Sequence, residues 1–364
     1  MGNLAVSVII SLYNYEKYIG ECLDSLLAQS FQDFEVIVVD DCSTDNSCAV
    51  VDSYAPKFNG RLKLTQTKIN SGGGGEPRNR GLGFSRGEYV FFMDADDILI
   101  SNGLEEMYTL AKKFNADTVY CEKYFMSTGD GQDFINNIQL AKVRIQQPPF
   151  VDEPTLETNN LEKRIEKALT WNYWVTAWLR LVSRDLLLEN DIKFPSLIGS
   201  NDVGWTFKVL FCSKRFLRIP NPCYVRRMHE ESVSFRKRTT SEHIHKLMDR
   251  TIRGSKDMDN FMGEMEFFRD NLGYRYAILN HFMREDFRYI FDKCASLSPV
   301  EVYATFLQKF GKHLGEQDVL VSCLCALVNS QQKALAESER INRENAAYIS
   351  ELENFIAKAK LLKD

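Results

Sequence analysis

Phe34–Val39 (FEVIVV) and Tyr89–Met93 (YVFFM) are apolar runs of strand length, and each stops at clustered carboxylates, Asp40-Asp41 after the first and Asp94-Ala95-Asp96-Asp97 after the second. Unbroken apolar strands belong in a parallel sheet covered on both faces, because a sheet open to water on one side alternates instead. Another β-branched run, Val6–Tyr13, comes before them, and Leu23, Leu26 and Leu27 recur at helical spacing within Glu16–Gln29. Ser43, Thr44, Asp45 and Asn46 suit the N-cap of the next helix. Arg61–Thr67 (RLKLTQT) alternates and predicts a third strand, Tyr89–Met93 is the fourth, and Ala116–Phe125 contains a fifth. The resulting β-α-β-α-β-α-β order predicts an α/β fold with a mostly parallel sheet of the nucleotide-binding type. In such open sheets ligands sit beyond the carboxyl ends of the strands.

Clustered carboxylates at a strand end repel one another unless a cation or a donor answers them. Asp-x-Asp puts two side chains on one side of an extended segment. Its natural partner is a hard, oxygen-ligated divalent ion that also takes diphosphate oxygens. A solvated turn with N-capping aspartates is the alternative for such a motif standing alone. Between the two acidic strand ends lies Asn70-Ser71-Gly72-Gly73-Gly74-Gly75-Glu76-Pro77-Arg78-Asn79-Arg80-Gly81. Glycines let the backbone approach a ligand closely, and Pro77 is placed to open a helix. Arg78 or Arg80 offers a guanidinium fork to a phosphate or a base carbonyl. The segment is neither a Gly-Lys-Ser/Thr phosphate loop nor a dinucleotide fingerprint, which would follow the first strand.

The pattern fails from Ser127 to about Asn160, where Pro148, Pro149 and Gly129–Gly131 suggest a long loop or lid. From about Ser241 the sequence turns helical. Gln331–Asp364 lacks Pro and Gly, and Leu335, Ile349, Leu352, Ile356 and Ala359 fall on one stripe, which suits either a helix docked on its own domain or self-association through a short coiled coil. The 364 residues suggest two domains or one large α/β domain with appendages, and the net charge of −5 excludes a polycation built for nucleic acid. The 9 cysteines form no Cys-x-x-Cys pair. Together with a start that lacks a signal-peptide pattern, they lead us to expect a cytosolic protein.

These stretches carry a resemblance. VSVIISLYNYEKYIGECLDSLLAQSFQDFEVIVVDDCSTDNS, NSGGGGEPRNRGLGFSRGEYVFFMDADD, WLRLVSRDLLLENDIKFP, SNDVGWTFKVLF and YVRRMHEESVSF resemble, block by block, the inverting family 2 glycosyltransferases of the GT-A fold. The resemblance runs from about Ala5 to Ser234. It implies a GT-A domain over 1–240 (donor part to about 125, acceptor part beyond), then a helical region over 241–330 and a terminal helix over 331–364. It further implies transfer from a nucleotide-sugar, a UDP-sugar by preference, to a glycan or lipid-linked acceptor of a surface polysaccharide. Peripheral contact with the inner face of the membrane would suit such an acceptor.

Carried over by position, the turn after Tyr13 and the carboxylate of Asp41 would hold the uracil, and Arg78 would sit beside base and diphosphate. Asp94 would contact ribose or donor sugar. Asp96 would bind Mn²⁺ or Mg²⁺, and Asp97 would support that turn. Asp202 holds the position of the general base. Arg227 and His229 belong to the loop closing over the diphosphate, with His229 an extra candidate ligand. One departure stands out: the family's Glu-Asp is Asn201-Asp202 here.

Three residue readings stand beside the resemblance. Asp202 alone reads as an N-cap for a helix over Val203–Cys212. Lys214–Lys256 holds 12 Lys and Arg against 4 Asp and Glu, centred on Arg226, Arg227 and Arg236–Arg238, which suits an anionic ligand, an anionic surface or a solvated face. Trp178 reads as core, whereas Trp171 and Trp174 are candidates for an acceptor-facing, sugar-stacking wall. Two other functions fit the α/β pattern: a non-catalytic nucleotide-sugar binder or assembly subunit, and a sugar-phosphate nucleotidyltransferase. The latter usually carries a Gly-rich basic loop after strand one, where this chain has Leu12–Glu16.

Overall fold

The computed structural model describes residues 4–128, 138–140, 150–170, 173, 175–197, 201–229, 232, 239–294, 301, 337, 340 and 343. The expected α/β architecture with a mostly parallel sheet is present. Strands β1 (Val6–Leu12), β2 (Phe34–Asp40), β3 (Leu62–Gln66) and β4 (Tyr89–Asp94) are parallel and lie in the order β3-β2-β1-β4. Their helices are α1 (Ile19–Leu27), α2 (Ser47–Tyr54), α3 (Gly75–Phe84) and, after β4, α4 (Gly103–Phe114). β1 and β2 are buried along almost their whole length, which is why they are apolar on both faces.

The sheet continues through Thr118–Cys121, the fifth strand expected within Ala116–Phe125, and through strands the patterning missed. Arg180–Ser183 runs antiparallel between β4 and Thr118–Cys121; Phe216–Ile219 pairs parallel with Thr118–Cys121, and Thr155–Leu156 closes the edge. A second, smaller sheet orders Ile98–Leu99, Tyr224–Met228, Phe125–Thr128 and Gln139–Leu140. The stretch Ser127–Asn160, expected to be a loop, therefore contributes strand ends to both sheets within its described part. The patterning missed them because strands of two residues show no period.

The described residues form two compact units. The first comprises Met1–Lys237 and Asp249–Met283 and holds both sheets. The second comprises Arg238–Met248 and Arg284–Asp364, and its described parts are helical, as expected from Ser241 onward. Most of the terminal segment Gln331–Asp364, with the self-association assigned to it, lies outside the described residues. Among the described residues no helix is long and apolar enough to cross a membrane.

The chain places β2 and β3 on one side of β1 and then crosses to the other side with β4, so the connections diverge between β1 and β4. Ser11 lies beside Asp94 and Leu12 beside Asp40, so both acidic strand ends open on that divergence, where open sheets bind ligands. Of the expected caps, Asp45 serves α2, its carboxylate accepting from the Ser47 N–H at 3.0 Å, whereas the Asn46 side chain makes no cap. The Ser43 hydroxyl accepts from the Asn14 N–H (2.9 Å) and the other Asp45 oxygen from the Glu16 N–H (3.0 Å), lacing the loop after β2 to the loop after β1. The Thr44 N–H donates back to the Asn14 side chain at 2.7 Å. Short polar side chains satisfy whichever backbone donors the fold presents, so Asp45 serves both the helix and the neighbouring loop.

Gly81 seats α3 on the sheet. A Cβ there would lie 2.3 Å from Cγ2 of Ile9, a fully buried residue. Alanine normally favours a helix over glycine by about 1 kcal/mol. Here the overlap opposes that gain, and β-branched Ile9 is stiff at χ1 and cannot swing aside. Gly81→Ala is expected to lower stability by about 1–3 kcal/mol, and thermal unfolding should show a lower midpoint. A midpoint equal to or above that of the wild type would refute the tight seat.

Candidate active site

The turn after β4 gathers three carboxylates. One oxygen from each of Asp94, Asp96 and Asp97 lies within 4.8 Å of the others, and among the described residues this is the one group of three or more such ligands. Burial, followed by the charge of Asp96, pushes the Asp94 and Asp97 carboxyls above the ordinary range, although Arg78 pulls Asp94 back. The same charges, after burial, push the Tyr15 phenol far up. The cluster is thus short of positive charge. Its donors are carboxylate oxygens, which suit a hard divalent cation.

Asp97 is committed inside the protein. Its two oxygens accept from the Tyr224 hydroxyl (2.8 Å) and the Arg227 N–H (2.7 Å). Burial and the carboxylates hold the Tyr224 phenol well above its usual range. It therefore stays protonated, donating to Asp97 while accepting from the Asp94 N–H at 3.1 Å. Asp97 and Tyr224 fix the turn, while the Asp94 and Asp96 side chains keep 31% and 11% of their surface exposed. Asp96 Oδ2 lies 2.9 Å from His229 Nε2, whose ring packs on Tyr18 at a centroid distance of 4.5 Å. The buried His229 Nδ1 has no hydrogen-bond partner in the described structure. Arg227 is fully buried; its Nε donates to the Asp96 carbonyl (3.0 Å), its Nη2 pairs with Glu21, and its guanidinium lies 5.1 Å from the Tyr18 ring centroid.

Arg78 joins this turn to a residue 124 positions away. Its Nη2 donates to Asp94 Oδ1 at 2.6 Å and its Nη1 to Asp202 Oδ1 at 2.9 Å. Burial works against the guanidinium charge, but Asp202 and Asp94 more than offset it, so Arg78 stays cationic. Asp202 sits in the first turn of the helix Asn201–Cys212, inside it rather than before it. Its other oxygen lies 3.5 Å from the Ala177 N–H. At the far end of that helix the buried Arg164 guanidinium donates to the Leu210 carbonyl (3.2 Å) and to that of Ser213, answering acceptors the helix leaves open. Asp94, Asp96, Asp97, Arg78, Asp202, Arg227 and His229 are thereby linked through direct contacts.

Of the other predicted residues, Asp41, Tyr13 and Trp178 are described. Asp41 is buried and turned to the glycine-rich loop. It accepts from the Ser71 N–H (3.0 Å), the Ser71 hydroxyl (2.9 Å) and the Thr67 hydroxyl (2.8 Å). Tyr13, at the end of β1, is 44% exposed. Trp171 and Trp174 lie outside the described residues, as do Arg236, Lys237 and Arg238. Trp178 is core, stacked on Tyr224 at 4.7 Å. Sequence reasoning missed Tyr224, Glu21, Tyr15 and Tyr18. Each is an ordinary aromatic or helix-face residue until the second sheet and α1 bring it to the acidic turn, and no local signal marks it.

Residues 7–169 match the family model described as glycosyl transferase family 2. Poly(ribitol-phosphate) beta-N-acetylglucosaminyltransferase TarS of Staphylococcus aureus (strain MW2) is 34% identical over 221 residues, which is 60% of this chain and 34% of that protein. Poly(ribitol-phosphate) beta-N-acetylglucosaminyltransferase TarP of Staphylococcus aureus (strain N315) is 38% identical over 216 residues, 58% of this chain and 59% of that one. The chain thus spans about a third of TarS and under two thirds of TarP. The crystal structure of S. aureus TarS 1-349 in complex with UDP-GlcNAc matches with a TM-score of 0.62 at 24% identity, covering 92% of this chain and 91% of that one. At that identity the likeness is one of fold, and the fold is GT-A.

Proposed function

We propose that this chain, whose residues 7–169 match the family 2 glycosyltransferase model, is such an enzyme and transfers a sugar from a UDP-activated donor to a hydroxyl of a glycan or lipid-linked acceptor in surface polysaccharide synthesis. The single observation that supports the reading is the Arg78 fork, which bridges Asp94 of the acidic turn and the distant Asp202. The names of TarS and TarP, both N-acetylglucosaminyltransferases acting on poly(ribitol phosphate), support an anionic surface polymer as the acceptor class.

The chemistry follows from the charges. Glycosyl transfer breaks the bond between the anomeric carbon and a diphosphate, so negative charge grows on the leaving oxygen. Arg78, already cationic and buried, is placed to meet that charge. Asp94 and Asp96, with His229 beside them, would hold a divalent cation, Mn²⁺ or Mg²⁺. Bound there, the cation supplies countercharge to the leaving diphosphate. Asp202 would take the proton of the attacking acceptor hydroxyl. One base opposite one leaving group means a single displacement with inversion, and no second carboxylate nucleophile is needed.

Hydrolysis of a panel of UDP-sugars, with and without Mn²⁺, tests the reading and names the donor without requiring the glycan. The expected result is cation-stimulated release of UDP from one or two donors. Nucleotide binding by calorimetry with no turnover on any donor or acceptor would overturn it in favour of a non-catalytic binder.

A further inference from the structure

The position before Asp202 departs from the family's carboxylate, and the structure gives that departure a physical sense. Asn201 is 3% exposed and stands against the first turn of α3. A Cβ on Gly75 would lie 2.9 Å from its side-chain nitrogen and equally close to the Pro195 carbonyl. With the amide oriented to suit its neighbours, the Asn201 side-chain oxygen accepts from the Gly75 N–H at 2.8 Å and its nitrogen donates to the Leu197 carbonyl at 2.8 Å. One turn further along α3, Asn79 does the same with a different partner. Its Nδ2 donates to the Phe194 carbonyl and its Oδ1 accepts from the Phe194 N–H, both at 2.9 Å. Arg78 lies between these two contacts in sequence, with its guanidinium 5.2 Å from the Phe194 ring centroid.

We infer that Asn79 and Asn201 form a two-point amide clamp that fixes α3 against the segment ending at Asp202, and so position Asp202 on Arg78. Each amide uses one donor and one acceptor on separate atoms of one neutral side chain, which an ionised carboxylate, acceptor only, cannot do. A carboxylate at 201 would accept from Gly75 but would leave the Leu197 carbonyl without its donor. It would also set a second negative charge beside Asp202. The neutral amide therefore keeps Arg78 as the counterion of a single carboxylate on that helix. Both asparagines are positioning residues, since neither touches the reacting atoms. The inference rests on the functional reading above, in which Asp202 is the base.

The test uses the full chain with Mn²⁺ and, as probes, UDP-GlcNAc, UDP-glucose and UDP-galactose, following UDP release across pH. The charged groups that interact with Asp202 are Arg78, Asp94 behind it, and buried Arg180. Asn201→Asp keeps the shape and adds a like charge, which disfavours loss of the Asp202 proton. The acid limb of kcat should move to higher pH, and kcat at neutral pH should fall about tenfold or more while donor KM changes little. Asn79→Ala, which adds no charge, should lower kcat with the limb unmoved. A merely structural role would lower the melting temperature of both variants without moving the limb, and that result would overturn the clamp. Wild-type kcat and an unmoved limb in Asn201→Asp would also overturn it while leaving the functional reading intact. Absence of turnover by the wild type on all probes would overturn both.

Discussion

Replacing Asp202 by asparagine is expected to leave nucleotide binding intact and to reduce sugar transfer by about 10²–10⁴-fold, the usual weight of a positioned general base. The variant is chosen to separate chemistry from architecture. Arg78 is buried and holds two carboxylates, Asp94 at 2.6 Å and Asp202 at 2.9 Å. Truncating Asp202 to alanine would leave one arm of a buried guanidinium unpaired, and leaving a buried charge without its partner can cost about 3–5 kcal/mol. Asparagine keeps an oxygen for the Arg78 Nη1 and the same volume, so the fold should tolerate it. What it removes is the capacity to accept a proton. Two measurements decide the matter: binding of UDP by calorimetry, and single-turnover transfer or hydrolysis. Unchanged binding with lost turnover is the expected pair. Full turnover in Asp202→Asn would remove Asp202 from the reaction and leave it as the counterion of Arg78.

What could be read from the sequence divides along a physical line. β1, β2 and β4 announce themselves because both faces are covered, so most positions are apolar, buried Ser7 and Glu35 answer each other, and the carboxylates at Asp40 and Asp94 stand out as ends. The interleaved antiparallel strand Arg180–Ser183 does not. Four residues give no period, and its place between β4 and Thr118–Cys121 is decided by pairings far apart in sequence. The acidic turn was legible as a cluster, but its internal division of labour was not. Asp97 belongs to the scaffold because Tyr224 and Arg227 arrive from a strand 127 to 130 positions later. The glycine run shows the same limit. A mobile pocket wall is the natural reading of four glycines. In the structure Gly75 starts α3, and Asn201 and the Pro195 carbonyl leave no room for a side chain there. Asp41 was legible as a strand-end carboxylate, but its contacts with Thr67 and Ser71, 26 and 30 positions later, were not.

Asp96→Ala is expected to have the other large effect, a fall of about 10³-fold in kcat/KM together with loss of stimulation by Mn²⁺, because cation countercharge on a leaving diphosphate is worth several kcal/mol and each 1.36 kcal/mol is tenfold. The neighbouring residues make the prediction specific to Asp96. Asp97 cannot replace it, since both its oxygens accept hydrogen bonds from the scaffold. Asp94 is drawn toward Arg78 at 2.6 Å. Asp96 is the carboxylate that meets His229, at 2.9 Å. His229→Ala should therefore weaken cation affinity by the smaller factor of about 10–100 expected for a group that supports a ligand, and raising Mn²⁺ should restore its turnover. The two variants should thus differ in kind. Excess cation rescues the loss of His229 but not the loss of Asp96. Should Asp96→Ala also recover at high Mn²⁺, the cation would be held mainly by other groups, and the diphosphate would depend chiefly on Arg78. Stability gives an independent check. Burial first, and the Asp96 charge after it, push the Asp94 and Asp97 carboxyls above their ordinary range, and removing Asp96 takes away the second of these. In the absence of divalent cation, Asp96→Ala should then unfold no more easily than the wild type, and a lower melting temperature under those conditions would mean that Asp96 serves the fold rather than an ion.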